Sequence, residues 1–197
     1  MSERVSFWTL ANVFTFARFA FAPVCAALFL TGTYWGMWVG GWLGGLAMFT
    51  DFCDGYFARR QKQVSDLGKI FDPVADAVFF VIVWTALAVE GAYPVWLVLP
   101  FIARELVQHV YIRPTAARLG LVLGANRWGK RKTLVQTLVL ITLCWLEFFI
   151  HYWPHWAAWI KPANIAMISL TAAVSVLSIA PYWKAVRAME TRGAATT

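Results

Sequence analysis

At 197 residues the chain is long enough for a single domain, and a composition of 60% hydrophobic and 17% aromatic residues, with a mean hydropathy of +0.62, lies well outside the soluble range. These values predict one integral membrane domain over residues 1–197 with no soluble domain of any size. They exclude nucleic acid as the reason for the formal charge of +7, because no extended soluble surface carries the basic residues.

The N-terminal segment, residues 1–12, starts MSERVSFWTL. Charged residues precede any apolar stretch and no small-residue cleavage site follows a short apolar core, so no removable signal peptide is expected. Phe7 and Trp8 suit the membrane interface, which makes this a short interfacial segment. With about 20 apolar residues as the spanning length, the fold class predicted is an all-α membrane protein with six transmembrane helices.

The first helix is expected over residues 13–30. The second covers 34–56 with a polar extension through Arg59 and Arg60, and its Gly40, Gly41, Gly44 and Gly45 suit close helix packing within the bundle or between subunits. The third runs over 72–89, with Pro73 in the first turn, where no N–H is required. The fourth covers 93–112 and stops ahead of Pro114, since the residue before a proline disfavours helix. The fifth and sixth are expected over 133–149 and 163–182. Cys25, Cys53 and Cys144 form no CxxC pair and read as small core or lipid-facing residues.

The distribution of lysine and arginine sets the orientation. The connections after helices one, three and five carry Lys161 alone, whereas the termini and the connections after helices two and four carry fourteen basic residues. The positive-inside rule then places both termini on the cytoplasmic side. Arg18 and the pair Arg104–Glu105 fall inside spans, where charge is costly unless it faces a polar cavity. Residues 151–156, HYWPHW, read as an aromatic belt at the far face. His109 and Glu147 have no partner evident from the sequence, and no chemistry is assigned to them.

The chemistry concentrates between Asp51 and Asp76, read DFCDGYFARRQKQVSDLGKIFDPVAD. On helices, the three-residue step from Asp51 to Asp54 and the four-residue step from Asp72 to Asp76 each put two carboxylates on one face. Four such groups in one cleft repel unless cations join them, and a donor set of oxygen alone favours magnesium, manganese or calcium over zinc. The cluster therefore reads as a divalent-metal site at the cytoplasmic end.

Written as Asp51-x2-Asp54-Gly55-x2-Ala58-Arg59-x8-Gly68-x3-Asp72-x3-Asp76, the stretch resembles the signature of the CDP-alcohol phosphotransferase (CDP-alcohol phosphatidyltransferase) family at every specified position. The resemblance implies attack of an alcohol hydroxyl on the lipid-linked phosphate of a CDP-lipid, with release of CMP. It implies that Asp51, Asp54, Asp72 and Asp76 hold two Mg2+ or Mn2+ ions, with Asp76 also the general base. By the same resemblance Gly55 and Ala58 leave room for the cytidine nucleotide, Arg59 and Gly68 belong to that nucleotide region, and the protein is a homodimer.

Three further patterns are similar to the phosphatidylglycerophosphate synthase branch of the family: Asn12-x2-Thr15-x2-Arg18-x4-Pro23, Arg104-Glu105, and Gly129-Lys130-x-Lys132-Thr133-x2-Gln136. That branch implies a bacterial inner membrane, CDP-diacylglycerol as donor and sn-glycerol 3-phosphate as acceptor. The dianionic acceptor needs cationic partners, for which Arg104, Lys130 and Lys132 are the candidates, with Arg18 behind them. The competing readings are a synthase of the same family that takes phosphatidylglycerol or an inositol phosphate, a transporter with buried Asp and Arg along an ion path, and a non-catalytic scaffold. Clustering of the acids at one end and the absence of an internal repeat disfavour the transporter.

Overall fold

The computed structural model describes the backbone of residues 10–61, 66–120 and 127–194, and the side chains of residues 16–49, 73–120, 129 and 131–191. Helix α1 is Leu10–Phe29, so residues 10–12 of the expected interfacial segment are helical and residues 1–9 lie outside the description. Its inward face, Arg18, Ala22, Cys25 and Phe29, repeats every three to four residues and is at most 3% exposed. The chain then turns through Gly32 at φ +65°. Thr33 caps α2, Tyr34–Gln61, its Oγ1 accepting the Gly36 N–H at 3.1 Å.

Glycines set how closely α2 approaches its neighbours. A Cβ at Gly40 would lie 2.7 Å from the Phe29 ring of α1, and one at Gly41 would lie 2.8 Å from Cys144 Cβ on α6, Arg127–Tyr152. These two glycines therefore serve packing within the bundle.

Helix α3, Asp66–Val89, begins earlier than expected, and Pro73 lies inside it, not in its first turn. Leu67, Ile70 and Phe71 carry helical spacing into the segment before the proline. The fourth predicted helix is segmented and continues past Pro114. A 3-10 turn, Val95–Val98, leads into α4, Leu99–Leu106, then a π-helical turn, Val107–Ile112, and α5, Arg113–Arg118. The Arg113 N–H reaches back to Gln108 O, a five-residue step, and this wider turn makes room for the ring that would end a regular helix.

Helix α6 is followed by a 3-10 turn, Pro154–Trp156, and α7, Ala157–Leu177. The predicted last helix breaks at Ser178–Ile179, and α8, Ala180–Ala194, starts with Pro181 in its first turn.

Helix α1 packs against both α2 and α3, α2 against α6, α6 against α7, and α7 against α4. The core centres on fully buried Trp84, stacked on Phe101 with ring centroids 5.8 Å apart, and the Tyr93 hydroxyl donates to Trp84 O at 2.8 Å. Cys25 and Cys144 are buried free thiols in this core. Among the described residues, Val95–Arg118, Arg131–Tyr152 and Pro154–Thr191 are long and apolar enough to cross a membrane, and Phe16–Phe29 and Pro73–Val89 are shorter apolar helices. The regular structure of the described residues is all helical, and the protein is integral to a membrane.

Candidate active site

The acids lie on two helices that flank α1. Asp51 and Asp54, with Gly55, Ala58 and Arg59, fall on the C-terminal part of α2, and Gly68, Asp72 and Asp76 fall on the N-terminal part of α3. The side-chain positions of Asp51, Asp54, Gly55, Ala58, Arg59, Gly68 and Asp72 lie outside the described residues, as does that of Lys130 on α6. Asp76 is described. Its carboxylate is 26% exposed and forms an ion pair with Arg18 of α1, whose side chain is 4% exposed. The pair gives Arg18 the polar partner that a charge inside a span requires, and an all-oxygen donor set of four aspartates would suit Mg2+ or Mn2+.

A second polar cluster gathers from α4, the π turn, α6 and the residue after α7. Glu105 is its centre. Its Oε2 accepts from Arg104 Nη1 at 2.7 Å and lies 3.5 Å from His109 Nε2, and its Oε1 accepts from Lys132 Nζ at 2.5 Å. Arg104 also donates through Nη2 to Ser178 Oγ at 3.3 Å. Ser178 Oγ donates in turn to Ser175 O at 2.6 Å.

Arg18, Arg104 and Lys132 were each singled out in the sequence, and each is buried here beside a carboxylate. His109 is corrected from a residue without a partner to a neighbour of Glu105, one turn away at i, i+4. Ser178 gave no signal in the sequence, being a small polar residue at the end of an apolar helix.

Glu147 is likewise corrected. It pairs with Lys161 at 2.9 Å and accepts from Asn164 Nδ2 at 2.7 Å, while Lys161 also donates to Gly91 O at 2.8 Å. These partners come from α7 and from the turn after α3, so no local spacing on α6 points to them. The group ties three parts of the bundle together. In the aromatic belt, His151 stacks on Tyr34 with centroids 4.6 Å apart.

Comparison with known proteins follows this geometry. The chain is 36% identical over 170 residues to a protein of Sodalis glossinidius named CDP-diacylglycerol--glycerol-3-phosphate 3-phosphatidyltransferase, covering 84% of the chain and 76% of that protein. It is 30% identical over 185 residues to a protein of the same name from Salmonella choleraesuis, covering 91% and 96%. A third, from Mycoplasma genitalium, is 33% identical over 147 residues, covering 75% of the chain and 57% of the relative. The chain thus spans little more than half the length of some of the curated relatives it matches. The CDP-alcohol phosphatidyltransferase family model matches residues 8–177. With a match over most of its length and the family's eight motif positions on the ends of α2 and α3, the chain belongs to the CDP-alcohol phosphatidyltransferase family.

Proposed function

We propose that the protein transfers the phosphatidyl group of CDP-diacylglycerol to sn-glycerol 3-phosphate, giving phosphatidylglycerophosphate and CMP in phospholipid biosynthesis. The observation that carries this reading is the buried Arg104–Glu105–Lys132 cluster, in which two cations share one carboxylate. It leaves fixed cations in excess over carboxylate, as the phosphate of a phosphorylated alcohol requires. The shared name of the relatives supports the same donor and acceptor.

Asp51, Asp54, Asp72 and Asp76 would hold two Mg2+ or Mn2+ ions, which supply charge neutralisation at the diphosphate and at the departing oxygen of CMP. Gly55 and Ala58 leave space for the cytidine nucleotide, with Arg59 and Gly68 beside it. Lys132 and Arg104, with Lys130 at the mouth, hold the acceptor phosphate. Asp76 takes the proton of the attacking hydroxyl as its oxygen bonds to the phosphorus that carries the diacylglycerol and the bond to the CMP oxygen breaks. Arg18 pairs with the Asp76 carboxylate and orients it.

On the same reading the protein works in a bacterial inner membrane as a homodimer with six spans, among membrane lipids. The basic residues at both termini and in the connections after the second and fourth predicted helices put the site on the cytoplasmic face. Membership in a transferase family displaces the ion-path reading.

The test supplies purified protein with CDP-diacylglycerol, Mg2+ and one of four acceptors, sn-glycerol 3-phosphate, inositol phosphate, serine or phosphatidylglycerol, and follows CMP release. Turnover is expected with glycerol 3-phosphate and is lost on chelation of divalent ions. Turnover with another acceptor alone would overturn the acceptor assignment, and activity indifferent to chelation would overturn the metal site.

A further inference from the structure

The register of the α6–α7 hairpin is marked by the 2.7 Å bond between Glu147 and Asn164. Eleven residues back along α6 from Glu147 stands Gln136, and eleven forward along α7 from Asn164 stands Ser175. Eleven residues make close to three full turns at about 3.6 per turn, so each side chain keeps nearly the direction of its counterpart. Gln136 and Ser175 are therefore level with each other and turned toward the same seam, about 16 Å along the bundle from the Glu147 group.

The outcome at the two levels differs. Glu147 and Asn164 bond directly and leave only Asn164 Oδ1 open, whereas at the second level both Gln136 Oε1 and Ser175 Oγ are buried with no hydrogen-bond partner among the described residues. Gln136 is 1% exposed and Ser175 0%. Just beyond the second level the seam admits α4, whose Arg104 reaches Ser178 and whose Glu105 reaches Lys132. Gln136 lies one turn after Lys132 on α6 and Ser175 one turn before Ser178 on α7, so both sit one layer below the cations. Arg104 Nε is also buried without a partner. Buried polar groups are nearly always paired, and a set of them left open beside buried cations points to a ligand.

A phosphate presents acceptors only, and these suit Lys132 and Arg104 Nε. The Gln136 amide oxygen needs a donor, and a hydroxyl, which both donates and accepts, suits it and Ser175 Oγ alike. We propose that Gln136 and Ser175 form the floor of the acceptor pocket and determine specificity by reading the hydroxyl groups of a phosphorylated polyol whose phosphate lies against Lys132 and Arg104. This rests on the acceptor site of the proposed function and adds to it the class of molecule selected. The Gln136 position closes the Gly129–Gln136 pattern singled out in the sequence, in which it had no assigned task.

The test uses full-length protein in lipid nanodiscs. It measures KM and kcat for sn-glycerol 3-phosphate and the inhibition constant of propyl phosphate, which keeps the phosphate and the three carbons but has no hydroxyl. Gln136→Leu is expected to raise KM for glycerol 3-phosphate about tenfold, the scale of one lost hydrogen bond, with propyl phosphate inhibition changed by less than about twofold, since no bond to it is lost. Ser175→Ala, which removes a single atom, should shift the same ratio in the same sense by a smaller factor. It carries the comparison if Gln136→Leu does not fold. Equal losses for both compounds in the variants, or no loss for either, would overturn the hydroxyl-reading role and leave the phosphate site intact. A wild-type protein that binds propyl phosphate as well as glycerol 3-phosphate would do the same. Failure of the wild-type protein to bind either compound would overturn the acceptor site of the proposed function along with it.

Discussion

Two carboxylates sit inside the bundle toward opposite ends of α6, and the difference between them lies in charge balance. Glu147 meets one lysine, Lys161, whose side chain is 39% exposed. Glu105 meets Arg104 and Lys132, whose side chains are 7% and 8% exposed, with His109 beside them. The first group is neutral and touches water. The second holds more positive than negative charge where water is scarce, and buried charge is tolerated only when it is compensated. A structural tie closes its own charge, whereas a binding site leaves charge for its ligand to close, and the acceptor site proposed at Glu105 and its neighbours is of the second kind.

The strongest challenge to this comparison is at Asp76, the base of the proposed reaction. Asp76→Asn keeps the shape and removes the base, and general-base catalysis is worth about 10²–10⁴-fold. We expect kcat to fall by about 10³-fold or more, while the protein remains folded and retains CDP-diacylglycerol by equilibrium binding. Near-normal turnover would show that another group takes the proton.

Stability separates the two carboxylates next. Removing one partner of a buried ion pair costs about 3–5 kcal/mol, because the charge left behind stays uncompensated. Glu105→Gln strands two buried cations and should lower stability by about that amount in thermal unfolding. Glu147→Gln leaves Lys161 able to reach water and bound to Gly91 O, so its cost should be nearer 1 kcal/mol. Equal losses at the two sites would remove the distinction between a closed and an open charge balance.

The parts legible in the sequence were those that local spacing encodes. Asp76 and Arg18 were picked out 58 residues apart and meet, and Arg104 and Lys132 were picked out on separate helices and share Glu105. What stayed hidden depends on neighbours distant in the chain or on one altered turn. The rule that stops a helix before Pro114 fails because the π turn at Val107–Ile112 changes the backbone just ahead of the ring. Glu147 looked isolated because Lys161 and Asn164 reach it from the next helix. Ser175 and Ser178 look like ordinary serines of an apolar helix, and the contact that sets Ser178 apart comes from Arg104, 74 residues away.

The smallest expected effect is the most selective. If the acceptor phosphate replaces part of what Glu105 gives Lys132, neutralising Lys132 removes one charge-assisted hydrogen bond to that phosphate, worth about 1.5–3 kcal/mol. Lys132→Gln should therefore raise KM for sn-glycerol 3-phosphate by roughly 10- to 100-fold, and it should leave binding of CDP-diacylglycerol unchanged. Lys161→Gln makes the same chemical change on the neutral side of the comparison and should leave KM for the acceptor where it was. Stability should fall little at Lys132, since that substitution takes away a buried charge from a group that already has one to spare. Steady-state kinetics on the two variants decide the matter. A shift in KM at Lys161 as large as that at Lys132 would mean that the acceptor constant reports the integrity of the bundle and not a phosphate at Glu105.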